Sequence, residues 1–417
     1  MPARRHPSRL ASHARALSIA LGLVLGVGAC GGGAGRTPKA PTPVVTGGNP
    51  HDDLARAKGG VTLDPDGADD PRAGTAAKTG PIDLDEVKIS VIGVDAAGEP
   101  ELGAVAAMDL LREGARALEA GQFELALTRF RQLVSDFPTS KLAPLGLWNQ
   151  AVTHDKRGDL DAEMAALREL VTSYPQVRES VDAHLHLGAL LLHTRRWAEA
   201  ERTLADALAR TSLTWADRLE AAARRGYALL ELGQLDRAEA ALDDAVAVWK
   251  KTPYIEDRYF IAMAQYYRGE VVHRRFAAVP VRPGVDAARA DLLAREQLAT
   301  AAYDRWKLAL ELKQAYWATA AGYQMSQIFV EFWQATVSTP VPADLAPAAA
   351  AAYRKEVHDR MRPHLDKALD GHQMNVELGR AFGVDTVWAK ASAQQVAAIM
   401  TQLAREARGD FVAALAP

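Results

Sequence analysis

The sequence predicts an all-α protein, a row of antiparallel helix hairpins that ends in a capping helix and follows a disordered tether. Three observations carry this prediction. From residue 105 onward, apolar residues recur at the i, i+3, i+4 spacing of amphipathic helices. Small residues stand at positions 114, 151, 188 and 226, so a unit of 37 or 38 residues repeats. Residues 30–98, by contrast, are rich in Gly, Pro and Asp and show no such period.

The first 29 residues have the composition of a signal peptide. Arginines at positions 4, 5, 9 and 15 precede an apolar run of 14 residues, Ala16–Ala29. This run is shorter than the ~20 residues that span a bilayer, but it suits a signal-peptide core. It ends in Val27-Gly28-Ala29-Cys30, which resembles the lipobox of bacterial lipoproteins. The resemblance implies cleavage before Cys30, lipidation of that cysteine and, because Gly31 follows it, anchoring at the periplasmic face of the outer membrane.

Residues 30–98 are predicted to form a flexible tether. Such a composition cannot bury enough apolar surface to offset the entropy lost on ordering. One stretch departs from it, because apolar residues alternate along Val87–Ile92. Alternation of this kind is typical of a strand, so this stretch is interpreted as a short strand or a docking segment.

Residues 105–252 are predicted to form four helix hairpins. In each unit the first helix carries a small residue, and the second carries a small residue followed by a large apolar one. Small residues let two helices approach closely, and large ones fill the space between them. Only the second unit departs from this rule, since Glu163 replaces the small residue of its second helix. The pattern resembles the tetratricopeptide repeat (TPR), and the closing pairs Phe137-Pro138 and Tyr174-Pro175 resemble periplasmic TPR proteins of envelope assembly and Tol-Pal coordination.

Residues 253–408 continue the pattern in a looser form, and further divergent hairpins with a capping helix are predicted there. The C-terminal part is similar to segments of TPR lipoproteins in large envelope and gliding-motility complexes. The predicted helices are Tyr259–Arg275, Asp286–Leu312, one from Ala315, one from Ala346 that Pro363 should kink, and the capping helix Thr386–Glu406.

Composition and motifs exclude several classes of function. The net charge is −3, with 49 Lys and Arg against 52 Asp and Glu, which does not favour binding to nucleic acid. A single cysteine allows no internal disulfide and no cysteine-rich metal site. No nucleophile, zinc or phosphate-binding motif is present, and His273 with Glu270 is interpreted as an exposed helix pair. The sequence therefore predicts no enzyme, cofactor, metal site or small-molecule substrate.

A row of TPR hairpins presents a concave groove lined by the first helix of each hairpin, and this groove is the predicted binding site for a peptide of a partner protein. If Trp148, Tyr227 and Tyr266 line this groove, each of them is expected to be substantially exposed. Six tryptophans are interpreted as packing residues instead: Trp197, Trp249, Trp306, Trp317, Trp333 and Trp388. The predicted groove residues are Trp148, Asp155, Leu185, His193, Tyr227, Tyr266, Glu270, Arg274 and Tyr323.

The sequence thus predicts a non-enzymatic scaffold lipoprotein that binds proteins of a bacterial envelope complex, in outer-membrane assembly or in motility or secretion. A coordinator of peptidoglycan synthesis or of Tol-Pal-type constriction is an alternative. An enzyme, or a protein that delivers substrate to one, is a third.

Overall fold

The computed structural model describes residues 86–94, 99–252 and 255–411. The predicted signal peptide, Cys30 and the tether up to residue 85 lie outside these residues. The described chain contains thirteen helices and one two-stranded sheet, and it divides into two bodies, which meet in sequence at residues 228 and 229.

Two strands precede the helices, β1 (Val87–Val94) and β2 (Pro100–Ala106), and they pair antiparallel with Val91 opposite Leu102. The strand interpretation of residues 87–92 is confirmed. The described chain therefore begins with a β-hairpin, part of which lies within the segment predicted as tether, and continues as helices. Val105 packs on the helical core, and Lys88 Nζ lies 2.6 Å from Asp136 Oδ1. These contacts hold the hairpin against the first helices.

The first body contains three complete hairpins and most of one further helix, which continues into the second body. The second helix of each hairpin packs against the first helix of the next hairpin. A continuous apolar core runs through all three hairpins. The helices are α1 (Ala107–Glu119), α2 (Phe123–Asp136), α3 (Ala143–Arg157), α4 (Leu160–Ser173), α5 (Arg178–His193), α6 (Trp197–Leu208) and α7 (Trp215–Glu231).

The small residues of the first helices act as the sequence predicts. A Cβ built on Gly114 would lie 2.7 Å from Cδ1 of Phe130, and one on Gly188 would lie 2.6 Å from Cδ2 of Leu204. Real Cβ atoms do not approach other atoms this closely, so each large side chain of a second helix occupies the space that a side chain would need on the first. Close packing of this kind sets the separation of the two helices in a hairpin.

The second body contains longer helices. α9 pairs with α10, α11 pairs with α12, and α13 packs against both α11 and α12. α12 runs without interruption through Pro363. The helices are α8 (Leu235–Lys251), α9 (Tyr259–Ala278), α10 (Val285–Glu311), α11 (Ala315–Val337), α12 (Pro347–Phe382) and α13 (Val387–Ala407).

The pairing of a small residue with a large one continues in the second body, but one of the large partners is polar. Gly269 of α9 faces the ring of Trp306, which is fully buried. Gly322 of α11 faces an amide instead, that of Asn375. This amide donates to Thr319 O at 3.0 Å and to Ser392 Oγ at 2.8 Å. A buried polar side chain of α12 therefore ties the capping helix α13 to α11.

Candidate functional site

The predicted groove residues of the first body do not all reach its surface. Leu185 is fully buried, and Trp148 is only 8% exposed. Both belong to the apolar core of this body, so their assignment to a ligand-lining surface is wrong. The reason is that the neighbouring hairpins cover this side of α3 and α5. Asp155 is half-buried and His193, at the end of α5, is exposed.

A buried hydrogen-bonded pair of side chains lies next to Trp148 and explains the irregular residue of the second repeat. Glu163 Oε1 lies 2.7 Å from His186 Nε2, and both side chains are buried. The His186 ring lies 6.1 Å from that of Trp148. The cavity among these residues and Asp155 measures about 10 Å³, room for one water molecule at most. Glu163 thus replaces a small residue in order to pair with a histidine of the next hairpin, and the cavity is no ligand site.

Tyr227 also has a packing role. It is half-buried, and its ring meets that of Trp197 edge to face at 5.5 Å. Of the tryptophans interpreted as packing residues, Trp306, Trp317 and Trp333 are fully buried, which confirms that interpretation for them. Trp215 at the start of α7 is 53% exposed, and sequence reasoning did not single it out.

The second body brings predicted residues together where α9, α11 and α13 meet. The Tyr323 ring lies 5.5 Å from Trp388, and Trp388 lies 6.2 Å from Tyr266. Gln324 Nε2 donates to the hydroxyl of Tyr266 at 3.3 Å. Tyr266 itself is only 4% exposed, and its burial raises the pKa of its hydroxyl well above the ordinary value. It therefore supports this surface from below, and the prediction that it is exposed is wrong.

The exposed part of this surface, which we call the α9–α11–α13 face, consists of residues that are half-buried or exposed. Arg274 is 52% exposed and pairs with Glu231 at 3.1 Å. Trp388 was interpreted as a packing residue, but it is half-buried and joins the two predicted tyrosines. Side-chain atoms of Trp388, Gln327 and Gln395 are shielded from solvent and have no hydrogen-bond partner within the described chain. The face comprises Glu270, Arg274, Tyr323, Gln324, Gln327, Trp388 and Gln395.

Glu270 belongs to a charged cluster with His273 and Glu331. The sequence predicted only an exposed pair of Glu270 and His273 here. His273 is mostly buried, with Nε2 2.7 Å from Glu331 Oε2 and Nδ1 3.9 Å from Glu270 Oε2. Burial by itself lowers the pKa of His273, but the two carboxylates outweigh this effect and raise that pKa to about 10. A protonated imidazole therefore links α9 to α11 at neutral pH. Glu331 lies 58 residues from His273, too far along the chain for the pair to be read from local spacing.

In two other histidines of this body the pKa is lowered rather than raised. Burial lowers the pKa of His372 to about 4. Burial and the charge of Lys367 lower that of His364 to about 4 as well. Both rings are neutral at pH 7 and pack against aromatic rings, His372 on Tyr323 at 5.3 Å and His364 on Phe332 at 5.4 Å.

These pKa values predict that the stability of the second body falls on both sides of pH 6.5. Above pH 6.5 the unfolded chain loses the proton that folded His273 keeps until about pH 10, so this contribution decreases as the pH rises. Below pH 6.5 the unfolded chain protonates His364 and His372, which the folded protein resists until about pH 4. Thermal unfolding at a series of pH values measures both effects. His273→Gln should flatten only the alkaline side, and an unchanged alkaline slope in this variant would contradict the assignment.

The fold defines the class of protein: an array of TPR-like helix hairpins, a fold typical of non-catalytic scaffolds that bind other proteins. Residues 111–178, from α1 to the start of α5, match the tetratricopeptide repeat family. No curated protein matches the chain significantly. In the described residues no helix is long and apolar enough to cross a membrane, and no group of three or more His, Cys, Asp or Glu side chains is arranged to hold a metal ion.

Several solved structures are similar to this chain. The C-terminal part of a TPR repeat-containing protein from Cytophaga hutchinsonii is 13% identical, with 72% of this chain and 98% of the other covered at a TM-score of 0.37. A TPR protein from Parabacteroides merdae is 12% identical, with 70% and 98% covered at a TM-score of 0.33. MamA from Desulfovibrio magneticus is 18% identical, with 50% and 95% covered at a TM-score of 0.33. Identities and TM-scores this low transfer no partner to this chain.

Proposed function

We propose that this protein is a lipid-anchored scaffold of the bacterial envelope, which binds a segment of a partner protein on the α9–α11–α13 face. The observation that carries the binding site is the meeting of half-buried aromatic and amide side chains of α11 and α13 over the buried Tyr266 of α9. Aromatic residues and arginine dominate the binding energy of protein interfaces. Tyr323 and Trp388 supply aromatic rings in contact with each other, and Arg274 supplies an exposed guanidinium on α9.

The location rests on the sequence. The lipobox-like motif at Cys30 supports attachment to the outer membrane, and the Gly- and Pro-rich tether supports reach into the periplasm. A scaffold of this kind would hold one member of an envelope complex near the membrane while its hairpins bind another.

The partner surface can be tested by photo-crosslinking in intact cells. A benzophenone amino acid at position 323 should capture an envelope protein that the same probe at position 354 does not, because Arg354 is an exposed residue of α12 outside the face. Once the captured partner is known, Arg274→Ala with Tyr323→Ala should weaken its binding about 30-fold, or roughly 2 kcal/mol. Arg354→Ala is the matched control.

Two results would contradict the proposal. One is equal capture from both positions. The other is an affinity that the double variant leaves unchanged while its melting temperature stays within a few degrees of the parent.

A further inference from the structure

A second concave surface lies between α10 and α12, with α11 as its floor. It is an open groove of about 620 Å³, within the ~300–1,000 Å³ range of ligand sites. Its lining is mainly apolar, and two of its side chains are methionines. The apolar lining includes Leu310, Met325, Phe329, Met374, Leu378 and Phe382. None of these residues belongs to the α9–α11–α13 face.

The groove leaves a large apolar side chain in solvent. Met374 on α12 is 66% exposed. Methionine is flexible and polarizable, so it adapts to differently shaped apolar ligands, and it is frequent on surfaces that bind amphipathic helices. The wall α12 is held close to the floor α11, because a Cβ on Gly371 would lie 3.1 Å from Cβ of Ser326.

Charges of both signs stand around the apolar lining. Glu311 and Lys313 lie at the end of α10, and Lys367 and Asp370 lie on α12. None of the four forms an ion pair with another residue of the described chain, although Lys367 Nζ lies 5.7 Å from the centre of the Phe329 ring. An acyl chain would leave most of these charges without a partner. A helix with acidic and basic residues beside its apolar stripe could pair with both signs.

The length of the groove also suits a helix. Along α12 the lining extends from Lys367 to Phe382, which is about 22 Å at ~1.5 Å per residue. This is four turns, the length of a typical helix in a globular protein. The chain has no such segment in its own tether, since residues 31–81 contain no run of more than eight residues free of Gly and Pro.

We propose that the α10–α12 groove binds an amphipathic helix of a partner protein, with its apolar stripe on Met325, Phe329 and Met374 and its flanking charges on Lys367 and Asp370. This site rests on the groove itself and does not depend on the α9–α11–α13 face. It gives the scaffold a second docking position for a ligand of different shape.

The test uses a synthetic probe and the full chain carrying Cys30→Ser, purified without detergent. The probe is a fluorescent 18-residue peptide with Leu at i, i+3, i+4 and i+7 and with Glu and Lys on both flanks; its scrambled isomer has the same composition. Fluorescence anisotropy should show 1:1 binding of the probe and at least tenfold weaker binding of the scrambled peptide. Met374→Glu should weaken the binding of the probe at least tenfold. Met400→Glu, on a methionine of α13 that is 56% exposed and lies outside the groove, should leave binding of the probe unchanged.

Four results would overturn the proposal. They are equal binding of both peptides, no effect of Met374→Glu, binding of palmitate in place of the helical peptide, and a dimer in sedimentation that Met374→Glu disrupts. If Met374→Glu lowers the melting temperature, Met374→Ser repeats the test without an added charge.

Discussion

Replacing Cys30 by serine is expected to leave the protein either soluble or with its signal peptide uncleaved, and in both cases absent from the outer-membrane fraction. Cys30 is the only cysteine of the chain and hence the only thiol that can accept the lipid. Two acyl chains on one residue supply the dual anchor that stable membrane attachment usually requires. Cell fractionation, together with the mass of the purified N-terminus, measures the loss.

The matched control is Gly32→Ala, which leaves the thiol and the preceding Val27-Gly28-Ala29 unchanged. This variant should remain in the outer membrane and carry the same added lipid mass. Normal processing and outer-membrane fractionation of Cys30→Ser would refute the lipoprotein proposal. The assignment of the helical hairpins would not be affected.

Replacing Gly269 by alanine is expected to destabilise the protein by about 3 kcal/mol, the upper part of the range for overpacking a core. The new Cβ would lie 2.8 Å from Cγ of Trp306. The Trp306 ring is rigid and fully buried, with 0% exposure, so it has no free space into which to move. Thermal or urea unfolding of the variant measures the change.

A smaller residue at position 306 should relieve the clash. The second hairpin carries Ala151 at the position that corresponds to Gly269, with Leu167 as its large partner. Gly269→Ala with Trp306→Leu should therefore cost at least 1 kcal/mol less than the sum of the two single variants, as expected for residues in direct contact. Strict additivity would show that the two positions do not share the contact described here.

Local spacing was sufficient to locate the helices. The helix predicted at Asp286–Leu312 is observed as α10 at Val285–Glu311, and the capping helix predicted at Thr386–Glu406 is α13 at Val387–Ala407. The pairing of Gly269 with a large side chain could also be expected, since it repeats the pattern of Gly114 and Gly188. Such features depend on residues within one hairpin, so the spacing of apolar and small residues along the sequence is enough to predict them.

The proposed binding face could be predicted only in part. The sequence singled out Tyr323 and Arg274 because they lie on the first helices of their hairpins. Trp388 was missed because a tryptophan in a helix looks the same in the sequence whether it fills a core or a surface. The α10–α12 groove gave no signal in the sequence, because its two walls are lined by residues 303–313 and 367–382, which lie more than fifty positions apart.

The sequence by itself determined where the helices begin and end, which small residues face large ones within a hairpin, and the presence of one cysteine in a lipobox-like setting. These properties follow from backbone geometry and from contacts between residues near each other in the chain. The tertiary structure decided which sides of those helices meet solvent. Neighbouring helices bury Leu185, Trp148 and Tyr266, and they place Glu331 beside His273. Whether a residue is buried depends on which other helices pack against it. Those helices are distant in the sequence, and only the complete fold brings them together.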